Sequence, residues 1–196
     1  YKIRTTMFKY RELMDMLVDL FRIKFDPLKR DDREGGGYEK LRETMNKTIE
    51  DIFDEIERNI FTECINFIDR NLKTNYFLPT KTGLAFRLSP EVLDTTYYPH
   101  QPFSIFFIIG REYRCFHVRW RDIARGGLRI VMPRSDTDYD YALAGLFDEV
   151  YGLSYAQQLK NKDIPEGGSK AVLLLKPGGH RQRAFRGAVN ALLDLL

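Results

Sequence analysis

Lys170 is the residue best placed to do chemistry. It follows Gly167-Gly168-Ser169 and precedes the apolar run Ala171-Val172-Leu173-Leu174-Leu175. An amine at the mouth of such a strand is poorly hydrated, and desolvation disfavours its charged form. Two further cations, Lys160 and Arg125, would add to that effect if all three faced one pocket. A lysine in that setting acts as a base or nucleophile near neutral pH. Lys160 and Arg125 suit carboxylates, which they would hold by charge-assisted hydrogen bonds. The pairs Gly126-Gly127 and Gly167-Gly168 would let a ligand approach the backbone. The chemistry implied is a pocket for an anionic substrate around a reactive lysine. A plainer reading has Lys170 snorkelling from a strand end while the glycines merely turn the chain.

Other chemistries are excluded by their own spacing rules. A phosphate-binding P-loop needs glycine and Ser/Thr where this chain has Ile164 and Ala171, and no GxGxxG occurs anywhere. The two cysteines, Cys64 and Cys115, form no CxxC and no Cys/His cluster, so no metal site is expected. They read as buried, reduced thiols. Lys+Arg (31) nearly balance Asp+Glu (28), which argues against a nucleic-acid partner. Apolar runs such as Ile105 to Ile109 are too short to cross a membrane, and these residues show no signal-peptide pattern. The expected location is the cytoplasm, or the mitochondrion in a eukaryote.

These residues need elements to position them. Residues 6 to 25 carry Tyr10, Leu13, Met14, Leu17, Leu20 and Phe21 at helical spacing, closed by Pro27. Residues 29 to 37 read as an exposed, mobile loop. A pattern of about 35 residues from Tyr38 to Leu72 (Leu41, Met45, Ile49, Ile52, Phe53, Ile56, Ile60, Cys64) reads as one long helix or two broken ones. Strands are expected over 77–88 and 103–109. The second of these turns at Gly110-Arg111-Glu112 into an alternating strand, with Phe116, Val118 and Trp120 on one face. His117, on the other face, reads as structural. A helix starting near Asp136 carries Leu143, Leu146, Phe147, Val150 and Leu153, and Lys160 falls about 40° from Leu146 on that stripe. A buried strand over 171–175, a Pro177-Gly178-Gly179 turn and a helix with Phe185, Val189, Leu192, Leu193 and Leu196 follow. The expected fold class is α/β: a helical segment over 1–75, then a mixed-sheet domain over 76–196. The chain starts at Tyr1 and stops within an apolar pattern, which reads as a fragment of a longer polypeptide.

Three motifs in order, Arg125-Gly126-Gly127-Leu128-Arg129, Ala156-Gln157-Gln158-Leu159-Lys160-Asn161 and Pro165-Glu166-Gly167-Gly168-Ser169-Lys170, resemble the substrate domain of glutamate dehydrogenases. Their order and spacing are most similar to the large-subunit, NAD-specific class, as are Ile130-Val131 and Leu146-Phe147-Asp148-Glu149. The resemblance covers residues 76 to 196 well and the first third weakly. It implies that residues 76–196 are a substrate-binding catalytic domain truncated at its C-terminal end. It implies that Lys170 activates water for attack on an iminium carbon, that Lys160 holds one substrate carboxylate and that Arg125 contacts the other. Gly126, Gly127, Gly167 and Gly168 would complete the substrate pocket. Compact glutamate dehydrogenases carry a lysine where Arg125 stands. Glutamate and 2-oxoglutarate would be the ligands, and a homo-oligomer the assembly. NAD would be held by a Rossmann domain absent from this chain, so residues 1–196 alone are expected to be inactive. Two other classes stay open: a non-catalytic helical assembly module, and a Schiff-base lysine enzyme acting on a keto acid.

Overall fold

The computed structural model describes residues 2–196. The chain divides into two compact units, one ending at Arg70 and one spanning Asn71–Leu196. The break falls ahead of the expected one at residue 75, because the short strand that follows Arg70 pairs into the sheet of the second unit.

The first unit is helical: α1 (Lys2–Lys9), α2 (Arg11–Phe25), α3 (Arg30–Glu34), α4 (Gly37–Glu50) and α5 (Glu55–Arg70). Its core repeats one spacing three times. Leu13, Leu17 and Leu20 come from α2, Met45, Ile49 and Ile52 from α4 and its last turn, and Phe61, Ile65 and Ile68 from α5. That i, i+4, i+7 pattern lays one apolar stripe along each helix. The expected single helix over 6–25 is broken at Tyr10, whose ring meets Phe61 edge-on and whose hydroxyl donates to buried Glu57 at 3.0 Å. The long pattern after Tyr38 splits where Asp54 Oδ1 accepts from the Glu57 amide at 3.1 Å and starts α5. Phe53 and Ile56, counted on the apolar stripe from the sequence, are exposed instead. Residues 29 to 37 are not an open loop. Asp26 accepts from the Leu28 amide at 2.9 Å, which starts a short helical turn that leads into α3.

The second unit holds β1 (Asn71–Thr74), β2 (Leu84–Leu88), β3 (Ser104–Ile109), β4 (Tyr113–Arg119), β5 (Ala124–Arg125), β6 (Leu128–Val131) and β7 (Gly167–Leu175), with α6 (Asp136–Ala144), α7 (Leu146–Lys160) and α8 (Arg181–Leu193). β1 to β4 form an antiparallel meander, and β7 joins β4 antiparallel. On its other edge β7 pairs in parallel with β5 and then β6. The fold class is α/β with a mixed sheet. Helix α7 packs on one face, against β7 and β4, and α8 on the other, against β3 and β7. Val172, Leu173 and Leu174 of β7 are wholly buried. Each contributes about 1.5–3 kcal/mol of hydrophobic stabilisation.

Four expectations change here. The strand expected over 77–88 is confined to Leu84–Leu88, and the helix expected to Leu72 stops at Arg70, with Asn71 and Leu72 opening β1. Gly167-Gly168 is not a turn but the first part of β7. The helix over 136–160 is two helices that break at Gly145; Tyr139 is buried where Leu143 was expected. On α8 the fully buried stripe is Ala184, Gly187, Ala188 and Ala191; of the larger residues, Leu192 packs partly buried against the same core, whereas Phe185 and Leu193 are exposed. Small side chains let that helix lie close to the sheet, where Ala171, Leu173 and Leu175 meet its alanines.

Candidate active site

Strand β7 carries the candidate site because of what surrounds its first four residues. The Gly167 amide donates to the Ile123 carbonyl at 2.8 Å, and Trp120 donates its amide to the Gly168 carbonyl at 3.0 Å. From α7, Gln158 Oε1 accepts from the Gly168 amide at 2.7 Å, while Asn161 donates to the Gly167 carbonyl at 3.0 Å. The end of α7 is thus stapled by side chains to the start of β7. A Cβ on Gly168 would lie 2.1 Å from the Gln158 backbone nitrogen, and one on Gly167 2.7 Å from Arg121 Cβ. At Gly126 a Cβ would fall 1.7 Å from the Ser169 carbonyl oxygen. At these three glycines the expected open approach for a ligand is filled by protein. Their small size serves close packing between β5, α7 and β7.

Gly127 differs. Its Cβ position meets only Lys170 Nζ, at 3.6 Å, and its carbonyl accepts from the Ala171 amide at 3.1 Å. Lys170 is half-buried, opposite Val118 of β4. Side chains alternate along a strand. Lys170 therefore shares the α7 face with Gly168 and Val172. Among the described residues no hydrogen bond or ion pair holds its amine. Its backbone is held from the other face, where His117 Nδ1 donates to the Lys170 carbonyl at 3.1 Å. A carbonyl oxygen only accepts, so that nitrogen carries the proton. Burial pushes the His117 pKa down to about 4; the carbonyl bond opposes this and Arg119 adds to it. The ring is neutral at ordinary pH.

The three expected cations come from segments that meet at Gly167-Gly168, but their side chains do not share one enclosed space. Arg125 pairs with Gly168 in the strand register; its side chain is exposed and lies 3.5 Å from Glu166. Lys160 is the last residue of α7 and is exposed, against the expectation that it faces inward. The inward stripe runs through Leu146, Val150 and Ser154 and then drifts, so Asn161 takes the buried position. Cation and helix C-terminus are electrostatically matched there. Arg129, on the α7 face beside Val172, pairs with Glu149 of α7 at 2.8 Å.

Sequence reasoning missed three supports of this site, Trp120, Gln158 and Asn161, while His117, read as structural, is structural in holding the Lys170 carbonyl. Trp120 also donates its indole N–H to Ser154 at 3.0 Å, and its ring lies 5.0 Å from Tyr155. Only Asn161 left a readable signal, as a polar residue on the inward stripe just past the helix end. Among the described residues no cluster of His, Cys, Asp or Glu could hold a metal ion, and no helix is long and apolar enough to cross a membrane.

Residues 44–192 match the family model described as the bacterial NAD-glutamate dehydrogenase catalytic domain. The whole chain aligns at 38% identity with Glutamate dehydrogenase 2 of Dictyostelium discoideum, covering 19% of that protein. Over 80% of the chain it is 47% identical to the NAD-specific glutamate dehydrogenase of Neurospora crassa, covering 15% of it. The Saccharomyces cerevisiae enzyme of the same name is 48% identical over 70% of the chain, which spans 12% of its length. The chain therefore spans about a fifth or less of these relatives, and the family-model match extends back through α5 and half of α4. With the glycine-framed lysine and the matched family model together, the chain belongs to the NAD-specific glutamate dehydrogenase family.

Proposed function

We propose that the protein is an NAD-dependent glutamate dehydrogenase and that residues 71–196 carry the substrate-binding half of its active site. The reaction takes L-glutamate, NAD and water to 2-oxoglutarate, ammonium, NADH and a proton. The observation that carries this reading is Lys170: a half-buried amine on β7, beside Gly127, with no hydrogen-bond or ion-pair partner among the described residues. A proton-transfer group needs that freedom. In this reading Lys170 takes a proton from the water that attacks the iminium carbon of the oxidised substrate. The exposed ends of Lys160 and Arg125 hold the two carboxylates, with Arg125 leaving Glu166 to do so. Gly126, Gly127, Gly167 and Gly168 set the backbone around that pocket, and Gly127 is the one with open space in front of it.

The nicotinamide, when bound, accepts the hydride. Strands β6 and β7 are parallel and flank α6 and α7, but the turn leaving β6, Met132-Pro133-Arg134-Ser135, has no glycine and does not fit a dinucleotide pyrophosphate. The same reading assigns NAD to parts of the protein outside these residues. It also includes a homo-oligomer. The test is glutamate-dependent reduction of NAD by the full-length protein, compared with Lys170→Ala. Strong activity in the wild type and its loss in the variant are expected. A wild-type protein that reduces no NAD with glutamate overturns the proposal.

A further inference from the structure

The end of α7 grips one peptide group of β7 from both sides. Asn161 donates to the Gly167 carbonyl at 3.0 Å, and the Gly168 amide donates to Gln158 Oε1 at 2.7 Å. That carbonyl and that amide belong to the same peptide bond, which is trans. In a trans peptide the C=O and the N–H point in opposite directions. Two side chains that hold both groups therefore stop the helix end from sliding along the strand and from turning over it. Gly168 makes the grip feasible, since a Cβ there would collide with the Gln158 backbone.

Asn161 is the centre of this clamp. It is 6% exposed, and it is the one buried residue of the segment 161–166. Gln157 donates to its Oδ1 at 3.0 Å, which turns the amide nitrogen of Asn161 towards Gly167. Its backbone carbonyl accepts from the Ile164 amide at 3.1 Å, so the same residue starts the turn that leads back to β7. A buried amide with both polar ends satisfied is held in one orientation.

The clamp lies between the two lysines of the proposed site. Lys160 immediately precedes Asn161, and Lys170 stands three residues past Gly167. Lys160 is exposed, has a flexible stem and has no partner among the described residues. Where its amine can reach is set by where the helix end is held. We infer that Asn161 is a positioning residue: with Gln158 it fixes the end of α7 on β7, and so places Lys160 to meet a substrate carboxylate while Lys170 meets the carbon under attack. This inference rests on the roles proposed above for those two lysines. Asn161 does not touch the substrate; it acts through Lys160.

The test uses the full-length protein as wild type, Lys160→Ala, Asn161→Ala and the double variant. Each is measured by initial-rate kinetics with glutamate, by calorimetric titration with 2-oxoglutarate and by a thermal melt. Asn161→Ala is expected to raise KM and weaken 2-oxoglutarate severalfold, in the direction of Lys160→Ala, with little change in kcat. The double variant should be no weaker than Lys160→Ala alone, because effects add only for residues that act independently. Asn161→Ser is the milder variant should Asn161→Ala fail to fold. Its hydroxyl is too short to reach the Gly167 carbonyl, and KM should move the same way. Additive effects in the double variant, or a folded Asn161 variant with wild-type KM and 2-oxoglutarate affinity, overturn the inference alone. If Lys160→Ala changes neither quantity, the proposed role of Lys160 falls and the inference falls with it. A protein that binds 2-oxoglutarate but reduces no NAD overturns the reaction, and the titration still decides the inference.

Discussion

Strand β7 presents Gly168, Lys170 and Val172 to α7, and Ala171, Leu173 and Leu175 to α8. On the α8 side the neighbours are Ala184, Ala188 and Ala191, so that face is sealed by small apolar contacts. On the α7 side the neighbours are polar groups and aromatic rings: Gln158 on Gly168, Arg129 on Glu149, and Phe116 of β4 against Phe147 at 5.2 Å. One face closes β7 with small apolar side chains, and the other holds Lys170, whose amine has no hydrogen-bond or ion-pair partner among the described residues. The difference teaches where function can be changed without cost to folding. A buried alanine contact has no slack, because interiors are close-packed. An unpartnered lysine contributes little to stability and is free for chemistry.

The largest effect expected from that contrast is Lys170→Ala in the full-length protein. Proton transfer by a positioned group is typically worth about 10²- to 10⁴-fold. kcat should fall by that much while the melting temperature barely moves. Steady-state kinetics with a thermal melt measure both; a large loss of stability would place Lys170 in the packing rather than the chemistry.

The two faces can next be separated with glycines. Gly168→Ala would force a Cβ to 2.1 Å from the Gln158 backbone nitrogen, and a helix backbone cannot step aside cheaply. Overpacking of this kind costs about 1–3 kcal/mol, occasionally more. Gly127→Ala meets only the flexible end of Lys170, at 3.6 Å. It should fold normally and lower kcat. Equal melting temperatures for the two variants would erase the distinction.

His117 links the faces, since its ring lies on the α8 side and holds the carbonyl of Lys170. Its folded-state pKa of about 4 lies below the ordinary value of 6.5. Between those two values the unfolded chain binds a proton that the folded chain does not. Stability therefore rises with pH through that window and is lost as pH falls from 6.5 towards 4. The full contribution is on the order of 3 kcal/mol. His117→Gln keeps a donor for the carbonyl and removes the titration, so denaturant unfolding at pH 5 and pH 7 should differ less than in the wild type. An unchanged pH dependence would mean another group carries it.

How far these features could be read without coordinates depended on whether they were local. The β3–β4 hairpin and its faces follow from alternation, and Phe116, Val118 and Trp120 do lie towards α7. The buried core strand Ala171–Leu175 follows from a continuous apolar run. What was misread depends on close approach between distant segments. Gly126, Gly167 and Gly168 look the same in sequence whether a ligand or a backbone fills the space before them. The α8 stripe was missed because alanine and glycine are weak hydrophobic markers, yet they are what a tightly docked helix uses. Lys160 was turned inward by carrying the stripe from Leu146 straight to the end of α7, whereas the inward face drifts and puts Asn161 inside instead.

Lys160 gives the smallest expected effect, and it sharpens the contrast from the edge of the α7 face. The side chain is exposed, ends α7 and has no partner among the described residues, so Lys160→Ala should not disturb folding. Its charge suits the helix C-terminus, an effect worth a few tenths to about 1 kcal/mol. If the amine holds a substrate carboxylate, that contact exists in ground and transition states alike. Losing it raises KM and leaves kcat nearly constant. An exposed, salt-screened charge pair should give about a tenfold rise at most. Lys160→Arg should recover part of this, because the charge returns but the planar fork differs from a point-charge amine. Raising ionic strength should narrow the gap between wild type and Lys160→Ala. Initial-rate kinetics at two salt concentrations read all three outcomes, and a KM for glutamate unchanged by Lys160→Ala removes the residue from the site.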